Sequence, residues 1–126
     1  MPYSVDALPA GVVVHRDLAY VSGGHPRQVL DLYLPDLGHA TPLIIWIHGG
    51  AFRMGSKEDH VPFEMLEQGY AIASLNYRLS QHALFPAQIE DCKAAVRFFS
   101  ANWSTGVHYC LPRLKRLCRN SRRWVW

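Results

Sequence analysis

The sequence has 126 residues, 49% of them hydrophobic and 18% charged, which suits one globular domain and excludes an intrinsically disordered chain. Its longest unbroken apolar run, Leu43 to Ile47, is far shorter than the roughly 20 residues that a membrane-spanning helix needs. The amino end, Met1 to Asp17, lacks the basic start and apolar middle of a secretory signal. We therefore expect a cytoplasmic protein without a membrane span.

The charges divide the chain into two parts. Residues 1–102 contain 7 basic and 10 acidic side chains, a balance of −3, whereas residues 103–126 contain 6 basic and no acidic ones, a balance of +6. The second part also holds three of the four tryptophans and shows no helical period or strand alternation. We predict a domain over 1–102 and a basic tail over 103–126 that is disordered or non-native.

Two strands are predicted near the amino end. One begins in the valines at Val12 to Val14 and ends near Arg16, and a period of two residues predicts another over Gln28 to Leu34. The turn residues Ser22 to Gly24 lie between them. This arrangement predicts an antiparallel pair.

A parallel strand, helix and strand are predicted next. Leu43 to Ile47 is apolar at every position, which is typical of a strand buried on both faces. A short helix over Asp59 to Gln68, ended by Gly69, and a second apolar strand over Tyr70 to Leu75 complete a parallel crossover unit.

The clearest helix begins at Pro86 and runs to about Asn102. Its inner face is predicted to consist of apolar side chains at helical spacing: Ile89, Cys92, Val96 and Phe99. Asp91 lies near the positive end of this helix, where a carboxylate gains about 0.3–1 kcal/mol from the helix dipole. The fold class is therefore α/β.

The residues with the most distinctive chemistry are His48 to Phe52, directly after the first buried strand. Because Gly49 and Gly50 have no side chains, their backbone N–H groups can come close to a substrate. Such donors form an oxyanion hole when they face an oxygen that becomes negative in the transition state. The same pair of glycines also occurs in ordinary turns, so the pair alone leaves both interpretations open.

Several motifs together resemble a known family. They are Leu30-Asp31-Leu32-Tyr33-Leu34-Pro35, Ile47-His48-Gly49-Gly50-Ala51-Phe52, Gly55-Ser56-Lys57, Asn76-Tyr77-Arg78-Leu79, and Phe85-Pro86-Ala87-Gln88-Ile89-Glu90-Asp91 with Ala95-Val96-Arg97. In this order they resemble the amino-terminal part of proteins of the α/β-hydrolase superfamily. The branch they resemble is the hormone-sensitive-lipase-like and feruloyl or acetyl esterase-like (BD-FAE-like) one. The resemblance implies an antiparallel strand pair, a parallel βαβ unit and a following helix.

The resemblance also implies roles for single residues. The N–H groups of Gly50 and Ala51 would form the oxyanion hole. The loop around them would be shaped by His48, Gly49 and Phe52. A scaffold role, without contact to the substrate, would fall to Tyr77, Arg78 and Asp91.

One element of the resembling family is absent from this sequence. Its members attack an ester with a serine in a Gly-X-Ser-X-Gly turn, and none of the serines here has glycines at that spacing. The acid and the histidine of the triad follow that serine along the chain in this fold. We therefore expect a truncated carboxylic-ester hydrolase that is inactive alone, with an ester as the substrate of the full-length form.

The sequence leaves two other functions open beside this interpretation. A non-catalytic binding or decoy module of hydrolase ancestry and a nucleic-acid binder acting through the basic tail are the alternatives. The hydrolase interpretation implies no nucleic-acid partner. Neither a cofactor nor a metal site is expected, because the histidines are scattered and the three cysteines complete no ligand set. A sheet edge left bare by truncation would favour self-association.

The break in composition near residue 102 motivates the hypothesis that the tail is the product of a shifted reading frame. Translating the coding DNA beyond codon 102 in the other two frames tests it. We expect one frame to encode Gly-X-Ser-X-Gly, and its absence from both would exclude a frameshift.

Overall fold

The structure is a computed structural model that describes residues 7–37 and 41–104, with the backbone alone for residues 100–104. The elements of this part of the chain are β1 (Val13–Ala19), β2 (Val29–Leu34), β3 (Leu43–Ile47), α1 (Glu64–Glu67), β4 (Ala71–Leu75) and α2 (Ala87–Ser104). Helix α2 continues past the predicted domain boundary at residue 102. The remainder of the basic tail, residues 105–126, lies outside the described residues.

The strands form one mixed sheet in the order β1-β2-β4-β3. Strand β1 pairs antiparallel with β2, and β3 pairs parallel with β4, which confirms both predicted pairings. Strand β2 also pairs antiparallel with β4. Strand β1 extends three residues beyond the predicted end at Arg16, because an irregularity between His15 and Leu18 restores its pairing with β2.

Two apolar clusters cover the two faces of the sheet. On one face Leu30, Leu32, Leu34, Ala71, Ala73 and Leu75 pack against Ala95 and Phe99 of α2. On the other face Tyr33 and Ile72 pack against Val61, Phe63 and Leu66. The predicted alternation in β2 is correct, but both of its sides are buried, including the charged Asp31.

The prediction that Leu43 to Ile47 is buried on both faces is wrong. Within the described residues β3 is an edge strand that pairs only with β4, and its three central residues are half-buried. Ile47 keeps 47% of its surface exposed. The strand has the composition of an interior strand but one edge of it has no described neighbour.

The predicted helix over Asp59 to Gln68 is reduced to a single turn, Glu64–Glu67. Pro62 explains the late start, because proline disfavours the helical conformation of the residue before it. Phe63 and Leu66 are buried as an inner side requires. The turn ends where predicted, at Gly69, which has a φ of +88°.

The inner face of α2 is rotated from the predicted one. The buried side chains are Gln88, Asp91, Ala95 and Phe99, whereas Ile89 is 38% exposed and Cys92 and Val96 are half-buried. The apolar pattern misplaced the face because two of the four buried side chains are polar and bind other polar groups of the fold. No helix in residues 7–37 and 41–104 has the length and apolar character that crossing a membrane requires.

Self-association of the chain through the edge of β3 stays a prediction. It can be tested by a substitution at Ile47, the exposed end of this strand. A lysine at an apolar strand edge opposes pairing with another chain, so Ile47→Lys should lower the average mass of the purified chain in sedimentation velocity. Leu84→Lys is the matched control, because Leu84 is 88% exposed and lies outside the sheet. A monodisperse wild-type monomer would contradict the prediction.

Candidate oxyanion site

The candidate site is the loop from His48 to Gly55, which begins where β3 ends. Gly50, Ala51 and Phe52 follow one another with positive φ angles of 124°, 53° and 60°. A non-glycine residue held in such a conformation costs about 1–3 kcal/mol, and residues of this kind cluster at functional sites. The loop therefore stores strain that the surrounding contacts must hold.

Two peptide groups in this loop have fixed carbonyls. Nδ1 of His48 lies 2.7 Å from the oxygen of Gly49, and the oxygen of Gly50 accepts hydrogen bonds from the N–H groups of Arg53 (3.0 Å) and Met54 (3.2 Å). In a trans peptide the N–H points away from the carbonyl of the preceding residue. Fixing these two carbonyls therefore fixes the directions of the Gly50 and Ala51 N–H groups.

These two N–H groups have no partner within the described part of the chain. None of its hydrogen bonds is donated by the backbone nitrogen of Gly50 or Ala51. Gly50 is half-buried and Ala51 is exposed, so water or a ligand can reach this stretch. The arrangement is able to donate hydrogen bonds to an oxygen from outside the fold.

The two glycines of the loop meet different constraints. A Cβ atom at Gly50 would overlap the backbone carbonyl of Met54, and its φ of +124° is unsuitable for a side chain. A Cβ atom at Gly49 would meet nothing within 4 Å. The loop geometry therefore requires a glycine at position 50, whereas position 49 has room for a side chain.

His48 and Tyr77 form the base of the loop. Their rings stack with centroids 4.4 Å apart, and the Tyr77 hydroxyl donates to the backbone oxygen of His48 at 2.8 Å. Burial raises the pKa of Tyr77, so its hydroxyl keeps the proton that it donates. The Phe52 and Tyr77 rings are arranged edge to face with centroids 6.1 Å apart, while Phe52 itself is 38% exposed.

Arg78 and Asp91 form an ion pair that anchors the segment after β4. The guanidinium binds both carboxylate oxygens of Asp91, with a shortest distance of 2.8 Å, and the Arg78 N–H and the Gln28 amide also donate to them. Burial raises the pKa of Asp91, but these hydrogen bonds lower it by more. The pKa therefore lies below its ordinary value, and the group stays ionised. The helix dipole alone does not explain Asp91, because its side chain is buried within this network.

Sequence reasoning gave no separate role to Lys57 or Asp31, although both lie in the motifs quoted above. The buried Lys57 ammonium lies 2.9 Å from Asp31 and 3.1 Å from Asp17. Burial lowers the pKa of Lys57, but its hydrogen bonds to carboxylates raise it above the ordinary value. The Lys57 backbone N–H also donates to the Asn76 side chain at 2.8 Å. Together with the Lys57–Asp31 ion pair, this bond holds the chain just after the loop against the sheet.

Arg27 lies outside every motif and was missed. Its guanidinium donates to the backbone oxygens of Tyr77 at 2.8 Å and Gly55 at 2.9 Å, and one of its nitrogens lies 3.3 Å from Nε2 of His48. No periodicity or spacing in the sequence signals these contacts, because they join residues that are 21 to 50 positions apart.

Comparison with known proteins agrees with the fold and the motifs. The family model for BD-FAE matches residues 30–105. The chain belongs to the BD-FAE family. The carboxylic ester hydrolase LipN of Mycobacterium tuberculosis is 32% identical over 95 residues, which cover 71% of this chain and 25% of LipN. A probable isoprenylcysteine alpha-carbonyl methylesterase of Arabidopsis thaliana, ICMEL2, is 30% identical over 94 residues, covering 72% and 22%.

Solved structures support the same assignment. Inhibited esterase B from Lactobacillus rhamnosis superposes with a TM-score of 0.65 at 29% identity, covering 75% of this chain and 32% of the esterase. The predicted α/β-hydrolase fold is thereby confirmed for this BD-FAE chain. The chain spans about a quarter of the curated relatives named above and about a third of this structure.

The two glycines of the BD-FAE loop allow a paired test. We expect Gly50→Ala to lower the free energy of unfolding by at least about 1 kcal/mol, because a side chain there is strained and overlaps Met54. Gly49→Ala should change it by less than about 0.5 kcal/mol. Urea unfolding followed by tryptophan fluorescence measures both, and equal effects would contradict the assigned loop geometry.

Proposed function

We propose that this chain forms part of a carboxylic ester hydrolase in which the N–H groups of Gly50 and Ala51 stabilise the oxyanion of acyl transfer. The observation that carries this proposal is that both donors are unpaired within the described residues while the carbonyl ends of their peptide groups are held by hydrogen bonds. Donors fixed in advance need no reorganisation when charge develops on the substrate.

The family supports the reaction class. The matched relatives include proteins named as a carboxylic ester hydrolase, a methylesterase and a hormone-sensitive lipase, and the similar structures include esterases. Membership of a family of ester hydrolases makes an ester carbonyl the group that the two N–H groups would bind. We propose short acyl esters, acetylated sugars or feruloyl esters as substrates.

The proposal divides the catalytic work between this chain and residues that it does not contain. The 126-residue sequence has no Gly-X-Ser-X-Gly pentapeptide, so the serine and its acid and histidine partners would come from another segment. The donor loop would be held by four residues: His48, Gly49, Phe52 and Tyr77. Tyr77 would in turn be held by the ion pair of Arg78 and Asp91. Removing one donor of an oxyanion hole costs about 2.7–4 kcal/mol of transition-state stabilisation.

Two measurements with p-nitrophenyl acetate test this division. The purified 126-residue chain should show no turnover above that of Gly50→Pro, because it has no serine in a Gly-X-Ser-X-Gly turn. A chimera that joins this chain to the remaining two thirds of esterase B should hydrolyse the ester. In the chimera Gly50→Pro should lower kcat by about 10²-fold or more, since proline removes the N–H and cannot adopt the φ of residue 50.

Arg97→Met in the same chimera is the control and should retain most of the activity, because Arg97 is exposed on α2 and lies outside the loop. Ester turnover by the chain alone would show that the assigned division is wrong. Full activity of a folded Gly50→Pro chimera would refute the role of the loop.

A further inference from the structure

Arg27 joins three segments that meet beneath the loop. The residue lies just before β2, and its guanidinium reaches Gly55 at the end of the loop, His48 at its beginning, and the segment after β4 through the Tyr77 oxygen and the Asn76 side chain. A single planar group with several donors thus holds both ends of the loop that carries Gly50 and Ala51.

The chemistry of these contacts determines where the proton lies on His48. A guanidinium has only donors, so Nε2 of His48, 3.3 Å from the Arg27 nitrogen, must accept and carries no proton. The carbonyl oxygen of Gly49 can only accept a hydrogen bond, so Nδ1 of His48, 2.7 Å away, must donate. Only the neutral Nδ1–H tautomer satisfies both contacts.

The neighbouring hydroxyl is consistent with this tautomer. Tyr77 uses its own proton to bind the backbone oxygen of His48 at 2.8 Å, so its oxygen faces Nδ1, 3.4 Å away, as an acceptor. The Arg27 guanidinium, the Gly49 oxygen and the Tyr77 hydroxyl therefore all favour a proton on Nδ1 and none on Nε2.

The position of this proton bears directly on the proposed oxyanion donor. The carbonyl that binds Nδ1–H belongs to the same rigid peptide group as the N–H of Gly50. In the other tautomer the Nδ1 lone pair would face the Gly49 oxygen, and this peptide group would lose the hydrogen bond that holds it. The direction of the Gly50 N–H thus depends on the tautomer of His48.

We propose that Arg27 is a positioning residue that selects the Nδ1–H tautomer of His48 and thereby orients the Gly50 N–H. The assignment of the tautomer stands on the contacts alone, whereas its importance for ester hydrolysis rests on the proposed function. Arg27 itself touches neither the substrate nor the reacting atoms in this scheme.

Long-range ¹H–¹⁵N NMR of the ¹⁵N-labelled chain distinguishes a protonated from an unprotonated ring nitrogen and needs no substrate. In the wild-type chain we expect His48 to show a proton on Nδ1 only. Arg27→Met removes the donor to Nε2 and should produce a mixture of tautomers. Arg27→Lys keeps one donor group without the planar fork and should give an Nδ1–H fraction between those of wild type and Arg27→Met.

Arg97→Met is the matched control, because Arg97 is exposed on α2 and its replacement should leave the His48 signals unchanged. If Arg27→Met does not fold, the comparison of Arg27→Lys with wild type decides. A predominant Nε2–H tautomer in the folded wild-type chain, or an unchanged Nδ1–H fraction in the folded Arg27 variants, would overturn the proposal.

The esterase chimera separates this proposal from the proposed function. Arg27→Met should lower kcat there with little change in KM, because the donor direction matters most in the transition state. An unchanged kcat in a chimera that Gly50→Pro inactivates would overturn the role of Arg27 and leave the oxyanion loop intact. An active chimera that Gly50→Pro does not impair would refute the oxyanion loop without affecting the tautomer assignment.

Discussion

The candidate site depends on the rigidity of the peptide group. A carbonyl and the following N–H move as one unit, so a hydrogen bond on one end sets the direction of the other. In this loop the bonded ends are the oxygens of Gly49 and Gly50, and the unpaired ends within the described residues are the N–H groups of Gly50 and Ala51. Because this stretch is half-buried to exposed, water can satisfy these N–H groups in the absence of a ligand, which avoids the cost of about 1–3 kcal/mol for an unpaired buried donor.

Polar contacts act together with the stacked rings of His48 and Tyr77 to hold the loop in its strained conformation. Lys57 with Asp31 and Arg78 with Asp91 are ion pairs whose carboxylates are fully or almost fully buried. Replacing a buried ion pair by apolar residues is often neutral or stabilising, so such pairs are weak evidence for stability. Their contribution here is direction: a hydrogen bond fixes the orientation of a backbone segment, whereas apolar contacts tolerate sliding. This accounts for polar side chains at positions where the sheet and α2 would otherwise bury apolar ones.

The sequence was sufficient to predict the strands, two of their three pairings and the family, because alternation and motif order are local properties. It failed where tertiary contacts override the local pattern. The inner face of α2 was misplaced because Gln88 and Asp91 are buried by polar partners, which an apolar period does not detect. The helix before β4 was overestimated for a local reason instead, because Pro62 restricts the residue before it. The contacts of Arg27 were invisible because they join positions far apart along the chain.

The described contacts of the loop come from segments on the β4 side of β3. Ser80 donates to the Phe52 oxygen at 2.7 Å, Gln81 donates to the Arg53 oxygen at 3.1 Å, and Tyr77 binds His48. Strand β3 has no described neighbour on its other side, where Ile47 is exposed. The loop can therefore keep its conformation without support from that side. In the proposed hydrolase, a nucleophile carried by another segment would meet oxyanion donors that are already oriented, because the described hydrogen bonds to the loop come from residues 27–81, which Asp91 supports through Arg78.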